Sequence, residues 1–188
     1  QSAMVAVYQA AYAYCRRNFA FLVVDTPDAV NRGNINGWRD ALGNAAGPNS
    51  ALYYPHVEGP DPLDGGRLRR MRPSGIAAGL FARTDAARGV WKAPAGTEAR
   101  IAGGRPVDVM TDRQQGPLNT QGMNALRTFP VYGSVLWGAR TLDGADARAS
   151  EWRYVPVRRL ALFIEASLRR GLQWVVFEPN DEPLWADV

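Results

Sequence analysis

Three residues of the chain have the types and the order that a serine hydrolase requires. Asp25 follows an apolar run, His56 is the only histidine, and Ser74 stands where a helix is predicted to begin. The order Asp, His, Ser is that of the subtilisins, in which histidine takes the serine proton and aspartate orients the histidine. Backbone N–H groups at a helix N-terminus can also serve as an oxyanion hole.

A purely structural interpretation of the same three residues is simpler. No Gly-x-Ser-x-Gly elbow occurs in the chain, and no Gly-Thr-Ser sequence surrounds Ser74. Asp25 then ends a strand, His56 lies on a surface strand, and Ser74 caps a helix. Residue order without its motif is weak evidence, so we predict no catalytic residues and keep the hydrolase as the alternative.

Metal and cofactor chemistry find little support in the residue types. One histidine and one cysteine leave mainly carboxylates as metal ligands, and the pair in Asp61–Gly66 lacks the spacing of a calcium loop. Neither the Walker pattern nor Gly-x-Gly-x-x-Gly is present. The sequence therefore predicts no metal site, no cofactor and no small-molecule substrate.

Lys92 is the only lysine, and it lies in the segment "AARGVWKAPAG". It has no phosphate-binding context, and the glycine, alanine and proline around it favour a structural turn. We expect Gly89 to permit that turn, Trp91 to anchor in the core and Pro94 to fix an extended exit.

A basic run, "RLRRMR" from Arg67 to Arg72, could contact phosphate groups without sequence specificity. No aromatic residues alternate with these arginines, as they do in platforms that bind single strands. The favoured interpretation is an edge strand whose cations prevent unwanted pairing, so we predict no nucleic-acid partner.

Composition indicates one globular domain over residues 1–188. The chain is 46% hydrophobic and 21% charged, with a formal net charge of +4. The single Cys15 excludes an intrachain disulfide, and the apolar stretch around residues 3–15 is too short to span a bilayer. No secretory signal is recognisable. We interpret residues 1–4 as a tag remnant and expect N- and C-terminal extensions to lie outside this chain.

The elements that would position these residues follow an α/β order, with a partly parallel sheet flanked by helices. Helical spacing predicts a first helix ending near residue 17, and the unbroken run Phe19–Val24 predicts a buried strand. The further predictions are a helix that Asp28 caps, a strand over 51–57 with Pro55 at an edge or bulge, and a helix from Ser74 to Gly89.

In the C-terminal half we predict three buried or paired strands, each from its apolar run. They are Gly133–Leu142, "WRYVPV" and "QWVVFEP", and Trp137 and Trp174 are expected in the core. Short strands are predicted at "EARI" and "PVDVM" and a short helix at "TQGMNALRT". A stripe from Val157 to Leu168 predicts a helix that ends at Gly171, and "NDEPLWADV" predicts another.

Four segments, in order and spacing, resemble the phage tail sheath family, the contractile sleeve of phages and related injection machines. The resemblance extends from about Leu52 to the last residue. The segments are "RPSGIAAGLFARTDAARGVWKAPAG", "LNTQGMNALR", "VLWGARTL" and "WRYVPVRRLALFIEASLRRGLQWVVFEPNDEPLW".

The resemblance implies a subtilisin-like α/β core domain without the catalytic apparatus, and a structural function. It implies stacked six-fold rings of subunits around an inner tail tube, attached to a baseplate, that contract to drive the tube through an envelope. The location would be a virion tail or injection particle, assembled in the bacterial cytoplasm. Phage and injection-system origins both remain open. Since the family's extensions join neighbouring subunits, we expect this chain alone to be a monomer or weak oligomer.

Arg158 and Arg159 are expected to pair with acidic residues inside the subunit or at a subunit contact.

Overall fold

The computed structural model describes residues 2–187, with every side chain among them except that of Asp187. The helices in this part of the chain are α1 Ser2–Arg17, α2 Ile35–Ala41, α3 Pro73–Arg88, α4 Asp112–Thr120, α5 Val155–Gly171 and α6 Glu182–Asp187. The strands are β1 Leu22–Val24, β2 Ser50–Tyr54, β3 Val57–Pro60, β4 Leu68–Met71, β5 Arg105–Pro106, β6 Met123–Phe129 and β7 Gly133–Trp137. None of these helices is both long enough and apolar enough to cross a membrane.

The main sheet has the strand order β1-β2-β6-β7, which confirms the predicted α/β class. The first three strands are parallel, and β7 pairs antiparallel with β6. Successive side chains of β2 point to opposite faces, so Leu52 enters one hydrophobic cluster and Tyr53 the other. Helices α1 and α2 cover the first face and α3 covers the second. The sheet is therefore buried between two helical layers.

A smaller antiparallel sheet, β4-β3-β5, extends from one end of the main sheet. The prediction of a single strand over 51–57 is wrong, because β2 and β3 are separate strands of different sheets. Pro55 and His56 form the junction between them. Pro55 does not mark an edge of the main sheet, since β2 lies between β1 and β6 there. The prediction of an arginine-rich edge strand is confirmed in β4.

Several element boundaries differ from the sequence predictions for local reasons. The strand predicted over Phe19–Val24 begins only at Leu22, because Phe19 has a positive φ of 53° that is incompatible with an extended strand. Helix α2 has Asn34 rather than Asp28 at its N-cap. Helix α3 begins one residue before Ser74, with Arg72 at its N-cap. Its predicted end at Gly89 is confirmed, and the positive φ of 92° there explains the glycine.

The largest error concerns "TQGMNALRT". The helix in this region is α4. It begins with a capping box formed by Thr111 and Gln114, and it ends at Thr120, the first residue of this segment. Gly122, with a φ of 79°, separates α4 from β6. The apolar residues that suggested a helix instead form a central strand, because pairing with both β2 and β7 outweighs local propensity. The predicted strands nearby are reduced to β5 and one bridge between Arg100 and Val135.

The C-terminal predictions are confirmed for the helices, but only one of the three predicted strands is present. The strand predicted over Gly133–Leu142 is confirmed in part as β7, which ends at Trp137, and Trp137 is half-buried instead of lying in the core. "WRYVPV" leads directly into α5, whose first turn contains Pro156. "QWVVFEP" forms a 3₁₀ helix over Gln173–Phe177, where Phe177 is 96% exposed and Trp174 is not in the core. Helix α5 ends at Gly171 as predicted, and α6 follows.

Candidate functional site

The three candidate residues converge at one corner of the main sheet. Asp25 directly follows β1, His56 follows β2, and Ser74 lies in the first turn of α3. The carboxyl ends of neighbouring parallel strands meet at the same edge, which brings the loop after β1 beside the loop after β2. The order of residues predicted their proximity, but their contacts determine what they can do.

Asp25 binds Ser74 directly. The Ser74 backbone N–H donates to Asp25 Oδ1 at 2.7 Å, and the Ser74 hydroxyl donates to Asp25 Oδ2 at 2.6 Å. The Asp25 side chain is buried, so these are charge-assisted hydrogen bonds in a shielded place. The carboxylate also faces the positive end of the α3 dipole. Asp25 thus caps α3 from a distant strand, with Ser74 as its link.

His56 is 1% exposed and has both ring nitrogens occupied elsewhere. Its Nε2 lies 2.9 Å from the Thr26 carbonyl oxygen, which can only accept, so Nε2 carries the proton. Its Nδ1 accepts from Arg70 Nε at 2.9 Å. Among the hydrogen bonds of residues 2–187, none joins His56 to Ser74.

This geometry does not assemble a serine hydrolase relay. In such a relay the histidine lies between the serine and the aspartate, where it can take the serine proton. Here Asp25 contacts the serine directly, and the histidine faces the Thr26 carbonyl, the Arg70 guanidinium and, at 3.7 Å from Nδ1, the Asp28 carboxylate. The corner is therefore a buried polar network that fastens α3 and β4 to the main sheet.

The arginines of the β4 region are mostly engaged within the chain. Arg69 pairs with Asp61 at 2.9 Å, Arg67 with Asp64 at 3.8 Å, and Arg70 donates to His56. The hydrogen bond from Arg69 is the main reason that the pKa of the Asp61 carboxyl is lowered. Partnered arginines on an edge strand favour the edge-protection interpretation over a phosphate-binding surface.

The segment around Lys92 is a turn, as the sequence predicted. The Lys92 N–H donates to the Gly89 carbonyl oxygen at 3.1 Å. A side chain at residue 89 would collide with the Trp91 ring. The predicted core anchor is wrong, however, because Trp91 is 66% exposed and lies against the glycine.

Helix α5 is fastened to the rest of the domain by arginines. Arg159 makes two hydrogen bonds to the Asp85 carboxylate, at 2.9 and 2.5 Å, and its guanidinium lies 4.6 Å from the Phe81 ring centroid. Arg158 donates to Asn49 at 2.8 Å and lies 3.5 Å from Glu165. Of the two alternatives expected for Arg158 and Arg159, the structure shows pairing with acidic residues inside the subunit.

One buried polar residue carried no recognisable sequence signal. Asn124, on β6, is 1% exposed. Its Nδ2 donates to the carbonyl oxygens of Leu52 and Arg140 at 3.2 and 2.7 Å, and its Oδ1 accepts from the Arg140 N–H at 2.7 Å. These bonds connect β2 and β6 to the chain that follows β7. Only the tertiary structure shows why an amide stands at a core position.

An apolar surface remains exposed beyond these networks. It comprises outward side chains of α5 and of the segment after it, namely Val157, Phe163, Ile164, Leu168, Trp174, Val176, Phe177 and Trp185. Several of these belong to the stripe that predicted α5. Large apolar side chains that are exposed in such number are typical of a face that another part of the protein or a partner covers. Among residues 2–187, no cluster of three or more His, Cys, Asp or Glu side chains could hold a metal ion.

The α/β layer thus combines a buried polar corner, in which Asp25 holds Ser74, with an outer surface that exposes apolar side chains. Residues 1–142 match the family model described as the phage tail sheath protein central domain. The tail sheath protein of Burkholderia phage BcepMu is 31% identical over 176 residues, which are 88% of this chain and 36% of that protein. The chain belongs to the phage tail sheath family.

Two solved structures extend the similarity to injection machines. A chain of the anti-feeding prophage baseplate is 34% identical, with a TM-score of 0.76 over 97% of this chain and 46% of that chain. A chain of the PVC extracellular contractile injection system sheath, in its contracted state, is 36% identical, with a TM-score of 0.72 over 89% of this chain and 44% of that chain. The chain thus spans about a third of the phage relative and less than half of these structures.

Proposed function

We propose that this chain is the core part of a contractile sheath subunit. Copies would assemble as stacked six-fold rings around an inner tube, attach to a baseplate and contract to drive the tube through a target envelope. The observation that carries the proposal is a similarity over 97% of the chain to a chain of the six-fold symmetrised baseplate of the anti-feeding prophage, at 34% identity, and to a chain of its helical sheath in the contracted state, at 35% identity. Heterologous contacts that repeat along a helix produce such assemblies.

The proposal includes a non-catalytic, subtilisin-like α/β layer that forms one domain over residues 1–188. The parallel order of β1, β2 and β6 supports the layer, and the direct Asp25–Ser74 contact supports the absence of a relay. The pair of Arg159 with Asp85, which ties α5 to α3, supports a single domain. Contraction would be a collective change between two packings of nearly rigid subunits.

The proposed location is the tail of a virion or a contractile injection particle, after assembly in the bacterial cytoplasm. The proposed partners are other sheath subunits, the inner tube protein and the baseplate. This chain in isolation would be a monomer or a weak oligomer, and rings or tubes of it in electron micrographs would contradict that expectation.

The test uses contractile particles from cells that carry the gene for this chain. We expect mass spectrometry of purified particles to detect its peptides in amounts comparable to those of the tube protein. Cells that lack the gene should release particles with naked tubes, and reintroducing the gene should restore the sheath. Complete sheaths without these peptides would refute the function.

A further inference from the structure

His56 lies at the junction between the two sheets, and its ring connects them. It is the only histidine of the chain and is 1% exposed. Its Nε2–H donates to the carbonyl oxygen of Thr26, in the loop after β1, and its Nδ1 accepts from Arg70 Nε on β4, both at 2.9 Å. The Arg70 bond therefore joins the edge strand of the small sheet to the corner of the main sheet.

The Arg70 bond can exist only while the His56 ring is neutral. Because Nε2 already carries a proton, Nδ1 is the ring nitrogen that can take a second one. A protonated Nδ1 is a donor, and Arg70 Nε is also a donor, in a guanidinium that does not lose its charge in proteins. Two donors with two positive charges repel each other, so a proton on Nδ1 expels Arg70.

Another acceptor lies beside the same ring nitrogen. Asp28 Oδ1 is 3.7 Å from His56 Nδ1, and the Asp28 side chain is 75% exposed. Among residues 2–187 the Asp28 carboxylate forms no other ion pair and no hydrogen bond. A movement of about 1 Å brings Oδ1 within hydrogen-bond distance of Nδ1. Asp28 is therefore placed to replace Arg70 when the ring becomes charged.

The ring borders a surface cavity of about 490 Å³, which gives solvent protons a route to it. Asp28, Arg70 and Arg72 line this cavity, and Arg72 has no ion pair within the described part of the chain. The remaining carboxylates of the corner are engaged with other groups. Asp25 binds Ser74, and the ion pairs nearby are Asp61–Arg69, Glu58–Arg105 and Asp108–Arg32. Asp28 and Arg70 are thus the two charged groups that respond directly to the ring.

We infer that His56 is a pH-operated latch that exchanges Arg70 for Asp28 on acidification. With a neutral ring, Arg70 binds Nδ1 and fastens β4 to the corner. With a proton on Nδ1, the ring binds the Asp28 carboxylate, and the Arg70 guanidinium turns into solvent. The bond to Thr26 is kept in both states, so the ring keeps its place.

The latch produces a local change and not unfolding. Histidine ordinarily changes its charge between pH 8 and pH 5, so the exchange belongs to that range. Strand β4 keeps its antiparallel pairing with β3 but loses its side-chain connection to the main sheet. A change of charge at one group thereby biases an element with two arrangements. The latch does not depend on the proposed sheath function and is tested on this chain alone.

The first test observes the His56 ring by NMR, where a single histidine gives one unambiguous set of ¹⁵N signals. At pH 8 we expect a neutral ring with its proton on Nε2, and a ¹⁵N–¹⁵N coupling between Nδ1 and Arg70 Nε across their hydrogen bond. At pH 5 we expect a doubly protonated ring, loss of that coupling and an unchanged far-ultraviolet circular dichroism spectrum. A ring that stays neutral at pH 5, a coupling that survives protonation, or loss of the folded spectrum would overturn the latch.

Two variants should move the protonation of the ring in opposite directions. Asp28→Asn removes the negative charge that favours the charged ring, so protonation should require a pH lower by at least about 0.5 unit. Arg70→Met removes the positive charge that opposes it, so protonation should occur at a pH higher by a similar amount. The matched controls are Glu151→Gln and Arg113→Met, which alter exposed residues without an ion pair in the described structure. Shifts of the same sign in the two variants, or equal shifts in the controls, would refute the exchange of partners.

The second test measures how firmly β4 is held. Hydrogen exchange gives protection factors, which correct for the effect of pH on the intrinsic exchange rate of each amide. Between pH 8 and pH 5 we expect the amides of β4 that bond to β3 to lose protection at least about threefold, while those of β6 do not change. In Arg70→Met the protection of β4 should be low at both pH values. Protection of β4 that is the same at both pH values in the unchanged protein would overturn the latch, even if Arg70 leaves the ring.

Discussion

The contact between Asp25 and Ser74 predicts a measurable coupling in stability. Ser74→Ala removes the hydroxyl that lies 2.6 Å from Asp25 Oδ2 but keeps the backbone N–H bond at 2.7 Å. A hydrogen bond to a charged group contributes about 1.5–3 kcal/mol, and alanine regains less than about 0.5 kcal/mol in helix propensity. We expect Ser74→Ala to lower the free energy of unfolding by about 1.5 kcal/mol.

Asp25→Ala should cost about 3–4 kcal/mol, because it removes both bonds and the carboxylate that faces the α3 dipole. In the double variant the hydroxyl bond is lost only once, so the two changes should couple by about 1.5 kcal/mol. Urea unfolding followed by far-ultraviolet circular dichroism measures all four proteins. Ser167→Ala is the matched control, since Ser167 is exposed on α5.

A coupling below about 0.5 kcal/mol would show that the Ser74 hydroxyl does not contribute to the cap, and an Asp25→Ala cost below about 1 kcal/mol would refute the capping role itself. The same proteins test the hydrolase alternative. We expect an active-site serine probe to leave Ser74 unlabelled, because the hydroxyl contacts a carboxylate rather than a histidine base. Labelling of Ser74 that disappears in His56→Ala would restore the enzyme interpretation.

Three further predictions concern buried polar groups. Tyr53→Phe should raise the free energy of unfolding by about 1 kcal/mol in urea titrations, because the fully buried Tyr53 hydroxyl has no hydrogen-bond partner among the described residues; a loss would refute the reasoning. Asn124→Ala should lower the free energy of unfolding by about 2–4 kcal/mol, since the buried hydrogen-bond partners of Asn124 are left unpaired. An unchanged midpoint of the urea titration would show that Asn124 does not stabilise the connection between these strands. Burial raises the pKa above the ordinary value of 10.0 for four tyrosines, namely Tyr8, Tyr12, Tyr53 and Tyr54. The hydrogen bond that Tyr54 donates to Asp108 raises the pKa of Tyr54 further. The folded state retains protons that the unfolded state releases, so stability should be intact below pH 10 and fall as the pH rises above it. Tyr54→Phe should make that fall shallower in unfolding measured against pH, and an unchanged slope would exclude Tyr54 as a cause.

Local sequence signals predicted the elements that local chemistry controls. Spacing of apolar residues located α1 and α5, and Gly89 and Gly171 marked the ends of α3 and α5, because these signals act within a few residues. The arginine-rich edge strand β4 was predictable for the same reason. The family resemblance was predictable as well, because it rests on motifs that the linear sequence carries.

Strand identity was less accessible, because a strand depends on its neighbours. "TQGMNALRT" and "QWVVFEP" both contain apolar runs, and their structures are the reverse of those predicted. The first lies between β2 and β7 and is a strand, whereas the second is a 3₁₀ helix on the surface. Apolar runs of this length do not by themselves distinguish a strand from a helix.

The sequence by itself determined that Asp25, His56 and Ser74 follow one another around an α/β layer. Only the tertiary structure decided that they form a cap and not a relay. The reason is geometric, because a proton transfer needs the histidine within hydrogen-bond reach of the serine. Here His56 faces Thr26 and Arg70, and Asp25 holds Ser74 directly. Residue types and their order specify which groups are near one another, and packing determines the atoms that touch.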